Sequence, residues 1–137
     1  MLTKVRGSGG GRCNVTQAEF IPNELVKNYP RGEKELRGPF HAFMTGDTIS
    51  WFEERGIELK IEEDGRMFPV SDSSETIINC FLRETERLGI QVLQNHSVQN
   101  LEKAEDKWKV STNQGDFSAE KILVATAAYN DNVVKFH

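Results

Sequence analysis

The chain has 137 residues, 37% hydrophobic and 28% charged, with a formal net charge of −4. That size suits one domain with a modest core and lies outside the disordered class. Acidic balance without a basic cluster argues against nucleic acid as main partner. No segment reaches membrane-span length, and the short polar start has no signal-peptide pattern. Cys13 and Cys80 form no disulfide framework, so a reducing cytoplasm is the expected setting. His41, His96 and His137 have no ligand spacing to either cysteine, and no zinc site is expected.

In chain order, the first signal is the run Ser8-Gly9-Gly10-Gly11-Arg12-Cys13-Asn14. Consecutive glycines free the backbone to take φ > 0 and to meet a ligand with no Cβ in the way. Successive N–H groups in such a loop can form an anion-binding nest. Arg12 adds a planar donor fork suited to phosphate or carboxylate. The run therefore reads as a cradle for an anionic ligand, with a flexible surface turn as the alternative. It matches neither the G-x-G-x-x-G dinucleotide fingerprint, whose third glycine would fall at Arg12, nor the P-loop, which needs a following Gly-Lys-Ser/Thr.

Residues 17–46 read as irregular, with short helical turns at Asn23–Asn28 and Glu33–Leu36 between Pro22, Pro30 and Pro39. Asp47 reads as the N-cap of a helix through Ile49, Trp51 and Phe52 that stops at Gly56. Ile57–Glu63 alternates as a half-buried strand, Asp64-Gly65 as a two-residue hairpin turn, and Arg66–Val70 as the returning strand. Asp72-Ser73-Ser74-Glu75 approximates a capping box with Asp72 in the cap position. It opens a helix whose apolar stripe is Ile77, Ile78, Phe81, Leu82, Thr85 and Leu88, ended by Gly89. Cys80 beside the stripe reads as a buried, inert thiol. Strands follow at Ile90–Leu93, Ser97–Lys103, Lys107–Thr112, Phe117–Ala119 and Lys121–Ala125. The aliphatic run in the last of these fits a central parallel strand.

With these residues in view, the chain resembles a known family. Lys4, Ser8–Thr16 and the second block Gly65-Arg66-Met67-Phe68-Pro69-Val70-Ser71-Asp72 are similar to the bacterial BaiN-like, or YhiN-like, NAD(P)/FAD-dependent oxidoreductases. The likeness runs nearly end to end. It implies an α/β fold: a partial FAD/NAD(P)-binding Rossmann-like domain over 1–137 with a β-meander and a helical insertion at 17–56. It also implies that the chain begins after the family's first strand–glycine–helix unit, as a truncated member. Gly7 stands where the family is usually apolar, and Ala127 and Ala128 stand where it has glycines. Carried over, Ser8, Gly9, Gly10, Gly11, Arg12, Cys13 and Asn14 would lie against the flavin or its pyrophosphate. Val98 would meet the adenine, and Thr126 the ribose or pyrophosphate. Arg66 and Pro69 belong to the second block with no role assigned, and Arg66 would pair with Glu62 or Glu63.

FAD is thus the implied cofactor, with NAD(P)H as reductant. Cys13 beside Arg12 is the one tempting nucleophile, though it has no C-x-x-C partner. The competing reading is a non-enzymatic fragment that has lost FAD binding, because the absent helix N-terminus would hold the pyrophosphate. A third is a homo-oligomer formed through an unpaired sheet edge at Ile122–Ala125.

Overall fold

The computed structural model describes residues 2–125, and these divide into two compact units, one up to Gln91 and one from Val92 onward. Thr126, Ala127, Ala128 and the tail beyond them lie outside the described residues.

The first unit holds every buried apolar side chain among the described residues. It opens with a short helix α1 (Thr3–Gly7), followed by a 3₁₀ segment over Ser8–Gly11 and a two-residue strand β1 (Thr16–Gln17). The stretch expected to be irregular is mostly helical: α2 (Pro22–Leu25) runs into a 3₁₀ turn at Val26–Asn28, and α3 spans Glu33–Ala42. Pro39 sits inside α3, where it forgoes one backbone bond instead of ending the helix. α4 covers Thr45–Glu53. Asp47 is its third residue and not its cap; its carboxylate reaches back to accept the Met44 N–H at 2.8 Å.

β2 (Leu59–Ile61) and β3 (Arg66–Pro69) form the expected hairpin, and β1 adds to the other side of β3, giving an antiparallel sheet in the order β1-β3-β2. The turn differs from the two-residue form. Gly65 N–H donates to Glu62 O, and Glu62 N–H to Arg66 O. The corners are thus Glu63 and Asp64, with Gly65 at φ +80° as the bulge that follows a type I turn. β1 is too short for any alternation to announce it.

α5 (Ser74–Arg87) is the longest helix. Ser73, not Asp72, is its cap, with Oγ accepting from Glu75 N–H at 3.3 Å. Asp72 takes φ +51° just ahead of it and pairs with Lys60. Ile77, Ile78 and Cys80 are buried, while Phe81 and Leu88 are 38% and 58% exposed. The buried face is therefore rotated toward Cys80 from the expected stripe. Cys13, Phe52, Ile57, Ile77 and Cys80 make one cluster under which Trp51, Val5 and Val15 pack.

The second unit is an antiparallel meander, β4 (Val98–Ala104), β5 (Lys107–Thr112) and β6 (Gly115–Ala119), with the register irregularity at Val98 and Asn100. Two expected strands do not form: Ile90–Leu93 and Lys121–Ala125 make no ladder bonds among the described residues. An apolar run becomes a strand only where a neighbour accepts from its N–H groups and donates to its C=O groups, and among the described residues no strand does so for either run. Leu123 is accordingly 91% exposed. No helix of the described residues is long and apolar enough to cross a membrane.

Candidate functional site: a left-handed glycine turn

Gly9, Gly10 and Gly11 take φ of +56°, +68° and +88° in succession. Each is a conformation that costs an L-residue about 1–2 kcal/mol, so the run is written by backbone geometry. The glycines are not equivalent. A Cβ on Gly9 would lie 2.9 Å from Asn14 N and from Phe68 Cε1, while Gly10 has nothing within 4 Å. One side of the turn is pressed on the protein, and the other faces outward without side chains. Arg12 N–H and Cys13 N–H close the turn onto Gly9 O and Ser8 O, at 3.4 and 3.0 Å.

Cys13 follows at φ +63°, and this reversal carries its side chain into the core, where it is 8% exposed. From there Val15 N–H reaches Met67 O at 2.8 Å, which docks the loop onto β3. The Asn14 carboxamide, oriented as its neighbours require, donates to Thr16 O and Met67 O at 3.0 and 3.2 Å.

Arg12 turns back onto the protein. Its guanidinium carbon lies 4.0 Å from the centre of the fully buried Phe68 ring. It hydrogen-bonds Glu62, with Asp72 Oδ1 at 3.6 Å. These bonds, Glu62's first, raise its already high pKa. Asp72 is held below the ordinary carboxylate range chiefly by its hydrogen bond from Lys60. Arg66 pairs with Asp64 at 2.7 Å, Glu62 lying at 4.0 Å, and its guanidinium also stands 5.4 Å from the Phe68 ring. The two sequence blocks thus meet: Phe68 is the floor under Gly9 and Arg12, and Glu62 and Asp72 neutralise the arginine.

Tested against a dinucleotide, the turn fits in shape, since the outward face at Gly10 admits a close backbone approach. It does not supply an ionic grip, because Arg12 is already paired and β1, not a helix N-terminus, follows the glycines. Cys80 has its thiol pushed up by burial, and both cysteines are free and buried, so neither presents an exposed thiolate. Val98 is 47% exposed at the start of β4 in the other unit, and Thr126 lies outside the described residues. Among the described residues no group of three His, Cys, Asp or Glu could hold a metal. From the sequence alone, Phe68, Glu62 and Asp72 have no part in this site: Asp72 reads as a helix cap and Glu62 as a partner of Arg66. Their only signal was membership of, or closeness to, the second block.

The described residues thus give a mixed α/β chain of helices and two antiparallel sheets, with a side-chain-free turn in the first unit. The chain matches the HI0933-like protein Rossmann domain over residues 1–130 and belongs to that BaiN/YhiN-like flavoprotein family. It is 27% identical over 127 residues to the ribosomal RNA dihydrouridine synthase of Haemophilus influenzae, covering 90% of this chain and 31% of that protein. To the Escherichia coli protein of the same name it is 26% identical over 123 residues, covering 90% and 30%. The chain spans about a third of the length of these curated relatives.

Proposed function

We propose that this chain supplies part of the FAD-contacting surface of a flavin-dependent oxidoreductase. The glycine turn packs against the flavin or its pyrophosphate, and NAD(P)H serves as reductant. The observation that carries the reading is the unequal pair Gly9 and Gly10, one glycine demanded by the fold and the next facing open space. Bound FAD supplies the redox chemistry, and the protein supplies position and electrostatics. Ser8–Gly11 offer a close-approach surface, and Arg12, through Phe68 and Glu62, holds that surface in shape. Cys13 serves packing and carries no step of the reaction.

The relatives' name makes ribosomal RNA their substrate. A net charge of −4 favours a cofactor-contacting role for this chain over a grip on an RNA backbone. The chain is expected to co-elute with added FAD and its absorbance near ~450 nm, a band that belongs to the cofactor, and Gly10→Val is expected to abolish this. A colourless wild-type fraction that ignores FAD would instead favour a non-enzymatic, self-associating domain. That second reading rests on the exposed Leu123 and Val124 and on a meander with no buried apolar residue among those described. Sedimentation at micromolar concentration then separates dimer from monomer.

A further inference from the structure

A second recess, of about 400 Å³, opens in the first unit where the end of α4 meets α5. Glu54 and Arg55 line it from one side, and Cys80, Arg83, Glu84 and Arg87 from the other. Neither the family nor the relatives' names assign it a role. It shares no residue with the glycine turn or with the side chains that support that turn. Three guanidinium groups are set against two carboxylates here, a local surplus of positive charge in a chain whose net charge is −4.

The bonds inside the recess leave that surplus unspent. Arg83 and Arg87 lie one helical turn apart on α5, a spacing at which like charges repel. Glu84 relieves only Arg87, which donates to it through Nε and Nη2 at 3.2 and 2.8 Å. Arg55 is fixed from the other side. It stacks on Trp51 at 3.9 Å and donates from Nη1 to Trp51 O at 2.8 Å. Its Nε is 3.0 Å from Glu84 Oε2, yet is buried with no hydrogen-bond partner among the described residues. Glu54 is 74% exposed and stands 3.7 Å from Arg55. Arg83 takes part in none of these pairs, and neither do Nη2 of Arg55 and Nη1 of Arg87.

The geometry points to this recess as a site for a phosphate monoester, held by the Arg83 guanidinium and by the unspent nitrogens of Arg55 and Arg87. A guanidinium fork matches two oxygens of a tetrahedral phosphate. The dianion of a monoester answers the surplus charge more fully than a singly charged carboxylate or diester does. Trp51 already immobilises Arg55, so binding has fewer side chains to order. The volume leaves room for a small organic group beside the phosphate. No aromatic side chain lines the recess to stack a ring, so the phosphate end is what is recognised. Glu54, the loosely held carboxylate, is the group an entering phosphate displaces. The inference stands whether or not the glycine turn touches FAD.

The test is a titration of the ¹⁵N-labelled chain with methyl phosphate, at a pH above its second pKa of about 6. It is read at the arginine Nε–H resonances, with sodium chloride at matched ionic strength as the control for screening. Saturable shifts at Arg55, Arg83 and Arg87 are expected, with weaker binding of dimethyl phosphate, the singly charged diester. Arg83→Gln, at an exposed position outside the ion pairs above, is expected to keep the native circular dichroism and to weaken binding about tenfold, the size of one charge-assisted hydrogen bond at a part-exposed site. Arg83→Lys, which keeps the charge without the fork, is expected to recover part of that loss, and Glu54→Gln to tighten binding. Shifts that sodium chloride reproduces, dimethyl phosphate bound as tightly as the monoester, or an affinity that Arg83→Gln leaves unchanged would each overturn the assignment. So would shifts confined to Gly9–Arg12, which would place the anion at the glycine turn.

Discussion

Gly9 and Gly10 are neighbours with the same backbone sign, and only the first is pressed against the rest of the protein. Alanine at Gly9 would meet the Asn14 backbone and Phe68 at 2.9 Å as well as adopting a positive φ. It is expected to destabilise the chain by about 2–4 kcal/mol, strain and overpacking together. Alanine at Gly10 meets nothing and pays only for its φ, about 1 kcal/mol. Urea unfolding of the two variants checks the order, and equal losses would show that the outward face at Gly10 is not free. The sequence made the glycine run legible as a place where the backbone takes φ > 0, with a flexible turn as its alternative. It could not show that Arg12 is turned inward. Glu62 lies 50 residues away, and a guanidinium reads as a phosphate ligand until its partner is known.

At the scale of elements, the join between α4 and α5 carries its own pH dependence. Arg55 stacks on Trp51 at 3.9 Å and bonds its carbonyl at 2.8 Å, while its Nε stands 3.0 Å from Glu84 Oε2, off the hydrogen-bond direction. Arg87 donates to the same carboxylate at 2.8 Å. Led by the Arg87 bond, these cations hold Glu84 at a pKa of about 2 against an ordinary 4.5. A carboxylate with a depressed folded pKa contributes stability that is full above its unfolded value and is lost as pH falls toward the folded one. The Tm is therefore expected to fall between pH 4.5 and about 2, and Glu84→Gln to flatten that stretch. Melting curves at pH 5 and pH 3 check it, and a Glu84→Gln profile parallel to wild type would contradict it. Of these elements, α5 was legible from its spacing, and the hairpin from its alternation and Asp-Gly. β1 was not, since two residues carry no period, and α3 was obscured by Pro39, which here is tolerated inside a helix. The aliphatic run Ile122–Ala125 misled in the opposite way: its composition is that of a strand, but strand formation belongs to the pair and not to the segment.

Across the whole molecule, burial is uneven. Val26, Phe68, Ile77 and Cys80 are almost fully buried in the first unit, while the meander from Val98 to Ala119 has only half-buried or exposed residues. Local stability follows buried apolar contact. Native-state hydrogen exchange is expected to show the amides of β4–β6 exchanging faster than those of α5 and β3. Equal protection would mean that the meander gains cover in solution, which is the self-association reading. The family is legible in two short blocks of the sequence. The reason those blocks travel together was not visible: Phe68 of the second supports Gly9 and Arg12 of the first.

Whether the left-handed glycine turn is a surface for a flavin dinucleotide is read from a titration of the ¹⁵N-labelled chain with FAD, at the amides of Ser8–Asn14. Saturable shifts are expected there, and Gly10→Val is expected to abolish them while the circular dichroism stays native. Amides that stay still in millimolar FAD, or shifts that Gly10→Val leaves intact, would contradict this role of the turn.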